Sequence, residues 1–184
     1  MRIIYLHGLA SSPDSAKGRI LSAWAKDRHE FEAPDLNFAP SRVREILDGI
    51  VARVDPARTL FVGSSLGGFY ATYAAELSGA RAVLLNPACA PWEVVEERLG
   101  EIFEGPDGPV AVEASFADGL RAMALPPTRP GRYFVILSTG DEVLDWRQAA
   151  RKYRGFSMHV IEGGDHVLTG FERLLPLIET FLAV

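Results

Sequence analysis

Ser65 is the residue of this chain whose surroundings most plainly specify chemistry. It lies in Gly63-Ser64-Ser65-Leu66-Gly67, with a glycine two positions before it and another two after. Ser64 has Val62 and Leu66 at those positions and does not fit. An apolar run, Thr59-Leu60-Phe61-Val62, leads into the motif, and a helix-like run from Gly68 to Leu77 leaves it. A serine on a sharp strand-to-helix turn is a nucleophile held above a sheet, with glycines letting strand and helix approach. A hydroxyl is a weak nucleophile at neutral pH. It needs a base to take its proton and an acid to orient the base.

Four histidines compete for the part of base. His7 ends the first apolar run, His29 sits in a charged turn and His159 falls inside a strand pattern. His166 sits in the flexible Gly163-Gly164-Asp165-His166 and follows the last strand pattern, at the sheet edge where Ser65 should point. It is the best candidate. The acid should follow the penultimate strand, where Thr139-Gly140-Asp141-Glu142-Val143-Leu144-Asp145 offers three carboxylates. Asp141 is nearest the strand end and is the first choice. Asp145 is placed to cap the helix that follows and stands as the alternative acid. The order Ser65, Asp141, His166 is that of the α/β-hydrolases.

Acyl transfer also needs donors for the oxyanion of a tetrahedral intermediate. The expected pair is the backbone N–H of Leu66, after the nucleophile, and that of Leu9, after the first strand. Gly8 permits the turn that aims Leu9. His7 suits a role in which its ring bonds the loop backbone. His7, Gly8, Ser12, Asn86 and Trp92 are candidates to line a substrate pocket, although capping is the simpler role for Ser12 and a turn role fits Asn86 equally well. Cys89 has no elbow glycines and reads as a small buried residue. Glu93, Glu96, Glu97 and Glu101 read as a solvated helix face. No histidine, cysteine or carboxylate spacing makes a metal site, and there is no Walker A or Rossmann glycine pattern, so no cofactor is implied.

These side chains require a scaffold that brings distant loops to one edge. Short apolar runs alternate with helical patterns: Ile3 to Leu6, Glu30 to Ala33, Leu60 to Val62, Ala82 to Leu85, Tyr133 to Leu137 and Met158 to Ile161. Most are too uniformly apolar for half-exposed strands and suit a parallel sheet covered on both faces. Helices are expected from Ser12, as a cap with Pro13 in the first turn, from Ser41, after Ser65, over Asp145 to Tyr153 and over Thr169 to Leu182. The fold class is α/β, a three-layer sandwich on a mainly parallel sheet of about six strands. Ligands then bind beyond the carboxyl ends of the strands. Residues 1–184 read as one domain. Its rhythm is broken between Pro91 and Pro130, where Trp92, Val95, Leu99 and Ile102 recur at helical spacing and Phe116, Leu120 and Met123 suggest a second short helix. This insertion is either an enlarged crossover or a lid over the site.

The 184 residues suffice for a sizeable core, and 48% apolar with 23% charged residues is ordinary for a globular protein. A net charge of −5 without a basic cluster argues against a nucleic-acid surface. The single cysteine ties the fold to no oxidising compartment. No signal-peptide pattern or membrane-length apolar stretch is evident, so a cytoplasmic location is the expectation.

Tyr5-Leu6-His7-Gly8-Leu9-Ala10-Ser11-Ser12-Pro13, together with Gly63-Ser64-Ser65-Leu66-Gly67-Gly68-Phe69-Tyr70-Ala71, resembles the YqiA-like esterases. These are small bacterial α/β-hydrolases, also known as an uncharacterised protein family. Leu85-Asn86-Pro87-Ala88, Thr139 to Asp145, Gly163 to His166 and Thr169-Gly170-Phe171-Glu172 fit as well, so the similarity spans nearly the whole chain. The resemblance implies a compact α/β-hydrolase fold beginning at the strand that bears His-Gly, without the first two strands of larger relatives. It implies hydrolysis of acyl esters or acyl thioesters, including acyl-CoA, with the triad on Ser65, Asp141 and His166. A binding module without turnover, or a peptidase or lyase, can use the same scaffold.

Overall fold

In the computed structural model, which describes residues 1–183, six parallel strands form one sheet in the order β2-β1-β3-β4-β7-β8. They are β1 (Arg2–Leu6), β2 (Glu30–Glu32), β3 (Thr59–Ser64), β4 (Arg81–Leu85), β7 (Tyr133–Ser138) and β8 (Ser157–Ile161). The four inner strands are almost entirely buried, whereas β2 and β8 at the edges keep exposed positions. This is the continuous apolar pattern of a sheet covered on both faces.

Side chains alternate across that sheet with period two. Ile4, Leu6, Phe61, Ala82, Leu84, Val135 and Leu137 face one core. That core is closed by α2 (Pro40–Val51), α3 (Leu66–Ser78) and α6 (Trp146–Lys152). Ile3, Tyr5, Leu60, Val62, Val83, Leu85 and Ile136 face a second core, closed by α1 (Ala16–Ala25) and α7 (Leu175–Ala183). The chain leaves β1 for β2 on one side and returns to β3 on the other, so the carboxyl ends of β1 and β3 flank a topological switch point. Such a crevice is where open α/β sheets hold ligands. No helix among the described residues is long and apolar enough to cross a membrane.

Three local expectations are revised. Helix α1 starts at Ala16 and is capped by Ser15, whose hydroxyl accepts from the Gly18 N–H. Ser12 instead accepts from the Asp14 N–H, in the turn before the helix. The C-terminal helix is split: a 3-10 turn, Phe171–Leu174, precedes α7. Pro176 fits the first turn of a helix but would clash with a carbonyl four residues back in its interior.

The insertion is the third revision. Helical spacing from Trp92 to Ile102 yields only a short α4 (Pro91–Glu96), after which β5 (Ile102–Gly105) and β6 (Gly108–Ala111) form a separate antiparallel hairpin. Pro106 and Asp107 make its turn, between paired Gly105 and Gly108. Phe103 and Val110, opposite each other, pack on the core while their neighbours face outward. That two-residue alternation is hidden in the sequence because Val95, Leu99 and Ile102 also fit a helix. Helix α5 (Ala114–Ala122) follows as expected, burying Phe116 and Leu120, with Met123 at its end.

Phe116 is 3% exposed and meets Phe103 edge-on, with ring centroids 6.2 Å apart. Phe116→Ala should therefore cost about 3–5 kcal/mol of unfolding free energy, measured by urea denaturation. A hairpin and α5 resting loosely on the domain would give a much smaller loss.

Candidate active site

Ser65 occupies the turn between β3 and α3 with φ 56° and ψ −121°, a backbone region that non-glycine residues avoid. The turn closes because residues 63 and 67 lack side chains. A Cβ on Gly63 would stand 2.1 Å from the Gly67 carbonyl oxygen, and one on Gly67 would stand 1.9 Å from the Leu6 carbonyl oxygen. The strained residue is pinned on both sides. Its N–H donates to the Leu85 carbonyl at 3.0 Å, and its carbonyl accepts from Gly68 at 2.9 Å and Ala88 at 3.0 Å.

Asp141 and His166 meet as the sequence suggests. The two loops that carry them continue the β7–β8 pairing: Thr139 N–H donates to the Ile161 carbonyl and Gly140 N–H to the Gly163 carbonyl. His166 Nδ1 lies 2.8 and 2.9 Å from the two Asp141 carboxylate oxygens. The Asp141 side chain is 1% exposed and also accepts from the N–H groups of Val143 and Leu144. Burial alone would raise this carboxyl, but the bonds from His166, Leu144 and Val143 outweigh it and hold it below the ordinary range. An ionised carboxylate only accepts, so His166 donates from Nδ1 and its Nε2 is the nitrogen left for other partners. Asp145, the alternative acid, caps α6 by accepting from the Arg147 N–H.

Ser65 and His166 both wall a cavity of about 630 Å³ at the switch point. They make no direct hydrogen bond; a nucleophile and base often close up only around substrate. Gly8, Leu9 and Leu66 line the same cavity. A Cβ on Gly8 would lie 3.2 Å from the Ser65 Cβ, so the first-strand loop abuts the serine. Leu66 is the first residue of α3, so its N–H is among those a helix start leaves without an internal partner. Helix α4 contributes Pro91, Val94, Val95 and Arg98.

The other pocket candidates, His7, Ser12, Asn86 and Trp92, do not line this cavity. Trp92 packs edge-on against Phe69. His7 is buried behind the loop. The Leu36 N–H donates to its Nε2 at 2.9 Å, so the proton sits on Nδ1 and donates to the Gly8 carbonyl at 2.8 Å. Burial pulls this histidine below its ordinary pKa, against the opposing pull of Gly8 and Asp35. Cys89 is no nucleophile either, since burial pushes its thiol up to about 11.

Asn86 has a role that its sequence position left open. It ends β4 at φ 42°, is 3% exposed, and bonds in three directions. Its Oδ1 accepts from Ser138 N–H at 2.8 Å, and its Nδ2 donates to the carbonyls of Asp165 and His166, each at 3.1 Å. It ties the loop that carries His166 to the sheet. The available sequence signal was an asparagine closing a strand before proline, a residue that tolerates positive φ.

Two outcomes test this reading. Asn86→Asp keeps the acceptor for Ser138 but removes both donors. It should cost about 1–3 kcal/mol of stability and broaden the downfield proton resonance of the His166 Nδ1–H. For His7, the unfolded chain binds a proton below pH 6.5 while the folded ring resists one. Stability from this group is complete above pH 6.5 and is lost as pH falls below it. The melting temperature of the wild type should thus drop faster on acidification than that of His7→Gln.

The family model described as "Uncharacterised protein family (UPF0227)" matches residues 2–183. A UPF0227 protein of Yersinia pseudotuberculosis serotype O:1b is 27% identical over 158 residues, covering 80% of this chain and 79% of the relative. Among solved structures, Est1E from Butyrivibrio proteoclasticus superposes with a TM-score of 0.72 at 13% identity, covering 100% of this chain and 88% of the other. The monoacylglycerol lipase of Paleococcus ferrophilus gives 0.67 at 14% identity, covering 99% and 94%. Alpha/beta hydrolase domain-containing protein 10 from mouse gives 0.65 at 18% identity, covering 96% and 90%. The six-stranded parallel sheet is thus that of the α/β-hydrolase fold, and by the match along nearly its whole length the chain belongs to the UPF0227 family.

Proposed function

We propose that this protein is a serine hydrolase that cleaves carboxylic acyl esters or acyl thioesters through an acyl-enzyme on Ser65. The observation that carries the reading is His166, held by Asp141 at 2.8 Å, in the wall of the cavity that also holds Ser65 on its strained turn. An ionised, buried carboxylate fixing a neutral imidazole is what a general base for a serine requires. One structural neighbour is a monoacylglycerol lipase, which agrees with ester chemistry.

His166 Nε2 takes the Ser65 proton as Oγ attacks the carbonyl carbon, forming the tetrahedral intermediate. The N–H groups of Leu9 and Leu66 donate hydrogen bonds to the carbonyl oxygen as negative charge develops on it. Asp141 stabilises the imidazolium without taking its proton. The bond to the leaving alcohol or thiol breaks, and His166 returns the proton to it. Water then enters, gives a proton to the same nitrogen, and attacks the acyl carbon. The Ser65 bond breaks, the serine recovers its proton and the acid departs. The apolar side chains around the cavity, among them Leu9, Ile20 and Val95, would hold the acyl chain, with α4 as its lid-like wall.

A fluorophosphonate probe should label the wild type at Ser65 and leave Ser65→Ala unmodified. Turnover of 4-nitrophenyl butyrate should fall by about a thousandfold or more in Ser65→Ala, with the fold intact by circular dichroism. Full turnover by the folded variant would overturn the reading. Absence of both labelling and turnover in the wild type would instead indicate a binding module.

A further inference from the structure

Lys17 is a cation on the wall of this cavity that no carboxylate pairs among the described residues. It is the second residue of α1, is largely withdrawn from solvent, and lines the same wall space as Ser65 and His166. Among the described residues it forms no ion pair. The nearest negative charge acting on it is Asp165, and that carboxylate is already engaged by the N–H and hydroxyl of Thr169. Arg98, also on the wall, is bound to Glu101 at 3.0 Å. Glu172, at an exposed position of the 3-10 turn, belongs to the cavity too.

A half-buried ammonium without a bonded counter-ion is costly in a pocket lined mostly by apolar side chains. Burial accordingly lowers the Lys17 pKa, only partly offset by Asp165. An occupant bearing a negative charge would relieve that cost, and the ammonium is a three-donor point charge suited to it. Because Ser65 faces the same space, the occupant and the hydrolysed ester are one molecule.

We infer that Lys17 is a specificity residue and that the substrate carries an anionic group bound by its ammonium, beside the acyl ester or thioester attacked by Ser65. This rests on the hydrolase reading above. The anion could belong to the acyl part, as a terminal carboxylate, or to the leaving group, as a phosphate, and the test separates the two sources.

Two matched pairs serve as probes. Mono-4-nitrophenyl glutarate against 4-nitrophenyl butyrate places a carboxylate on the acyl side. Butyryl-CoA against butyryl N-acetylcysteamine places phosphates on the leaving side. The wild type should favour the charged member of one pair by about tenfold or more in kcat/KM, the worth of a charge-assisted hydrogen bond. Lys17→Met, which keeps the aliphatic stem, should bring that ratio close to one, and Lys17→Arg should retain a preference. Equal treatment of both pairs by the wild type would overturn the inference. So would a Lys17→Met variant that loses the same factor on both members of the favoured pair. Calorimetric binding of the same four compounds to Ser65→Ala makes the two readings separable. A charge preference in binding that depends on Lys17, without turnover in the wild type, would uphold the anion site and refute the hydrolase. Turnover without any preference would do the reverse.

Discussion

The carboxyl end of β4 holds the site together. The Leu85 carbonyl accepts from the Ser65 N–H, and the Ala88 N–H donates to the Ser65 carbonyl, so the segment after β4 clamps the strained residue on both sides. Asn86, between them, reaches the other way and binds the Asp165 and His166 carbonyls. One short stretch thereby sets the position of Ser65 and the His166 loop together. A backbone at positive φ costs on the order of 1–3 kcal/mol for each non-glycine residue. Two such residues, Ser65 and Asn86, face each other across this junction. They persist because the surrounding parallel strands offer their carbonyls and N–H groups no better arrangement.

Behind that junction, the sheet supplies rigidity in proportion to burial. β3 is buried along its full length, between β1 and β4, and α3 lies directly on it. The glycines at 63 and 67 allow backbone-to-backbone contact that any side chain would block. On the opposite side of the cavity, the Asp141 and His166 loops are stitched by backbone bonds that extend β7 and β8 beyond their formal ends. The two halves of the site thus rest on adjacent parts of one sheet, and His7 anchors the intervening loop through Leu36 and Gly8.

The cavity itself is of mixed character. Its chemistry-bearing groups, Ser65 and His166, sit among apolar side chains contributed by α1, α4 and the loop after β8. Water excluded from such a space leaves polar groups to be satisfied by protein or by ligand. Asp141 is satisfied by protein, with three donors around it. Lys17, on the cavity wall, has no such bonded partner among the described residues.

Much of this was legible in the linear chain because parallel sheets leave a local signature. Continuous apolar runs marked the four inner strands, the two glycines around Ser65 identified the turn, and the position of Asp141 and His166 after successive strands placed them at one edge. The hairpin at Ile102–Gly105 and Gly108–Ala111 was not legible, since its two-residue alternation overlaps a helical spacing and only packing on the core chose between them. The clamp of Asn86 and the withdrawal of His7, Ser12 and Trp92 from the cavity were likewise undetermined. Residue types and spacing are fixed by local sterics and periodicity, which one segment carries alone. Which face a loop side chain turns to, and whether a charge such as Lys17 meets a partner, depend on residues distant along the chain, and only the folded chain brings those together.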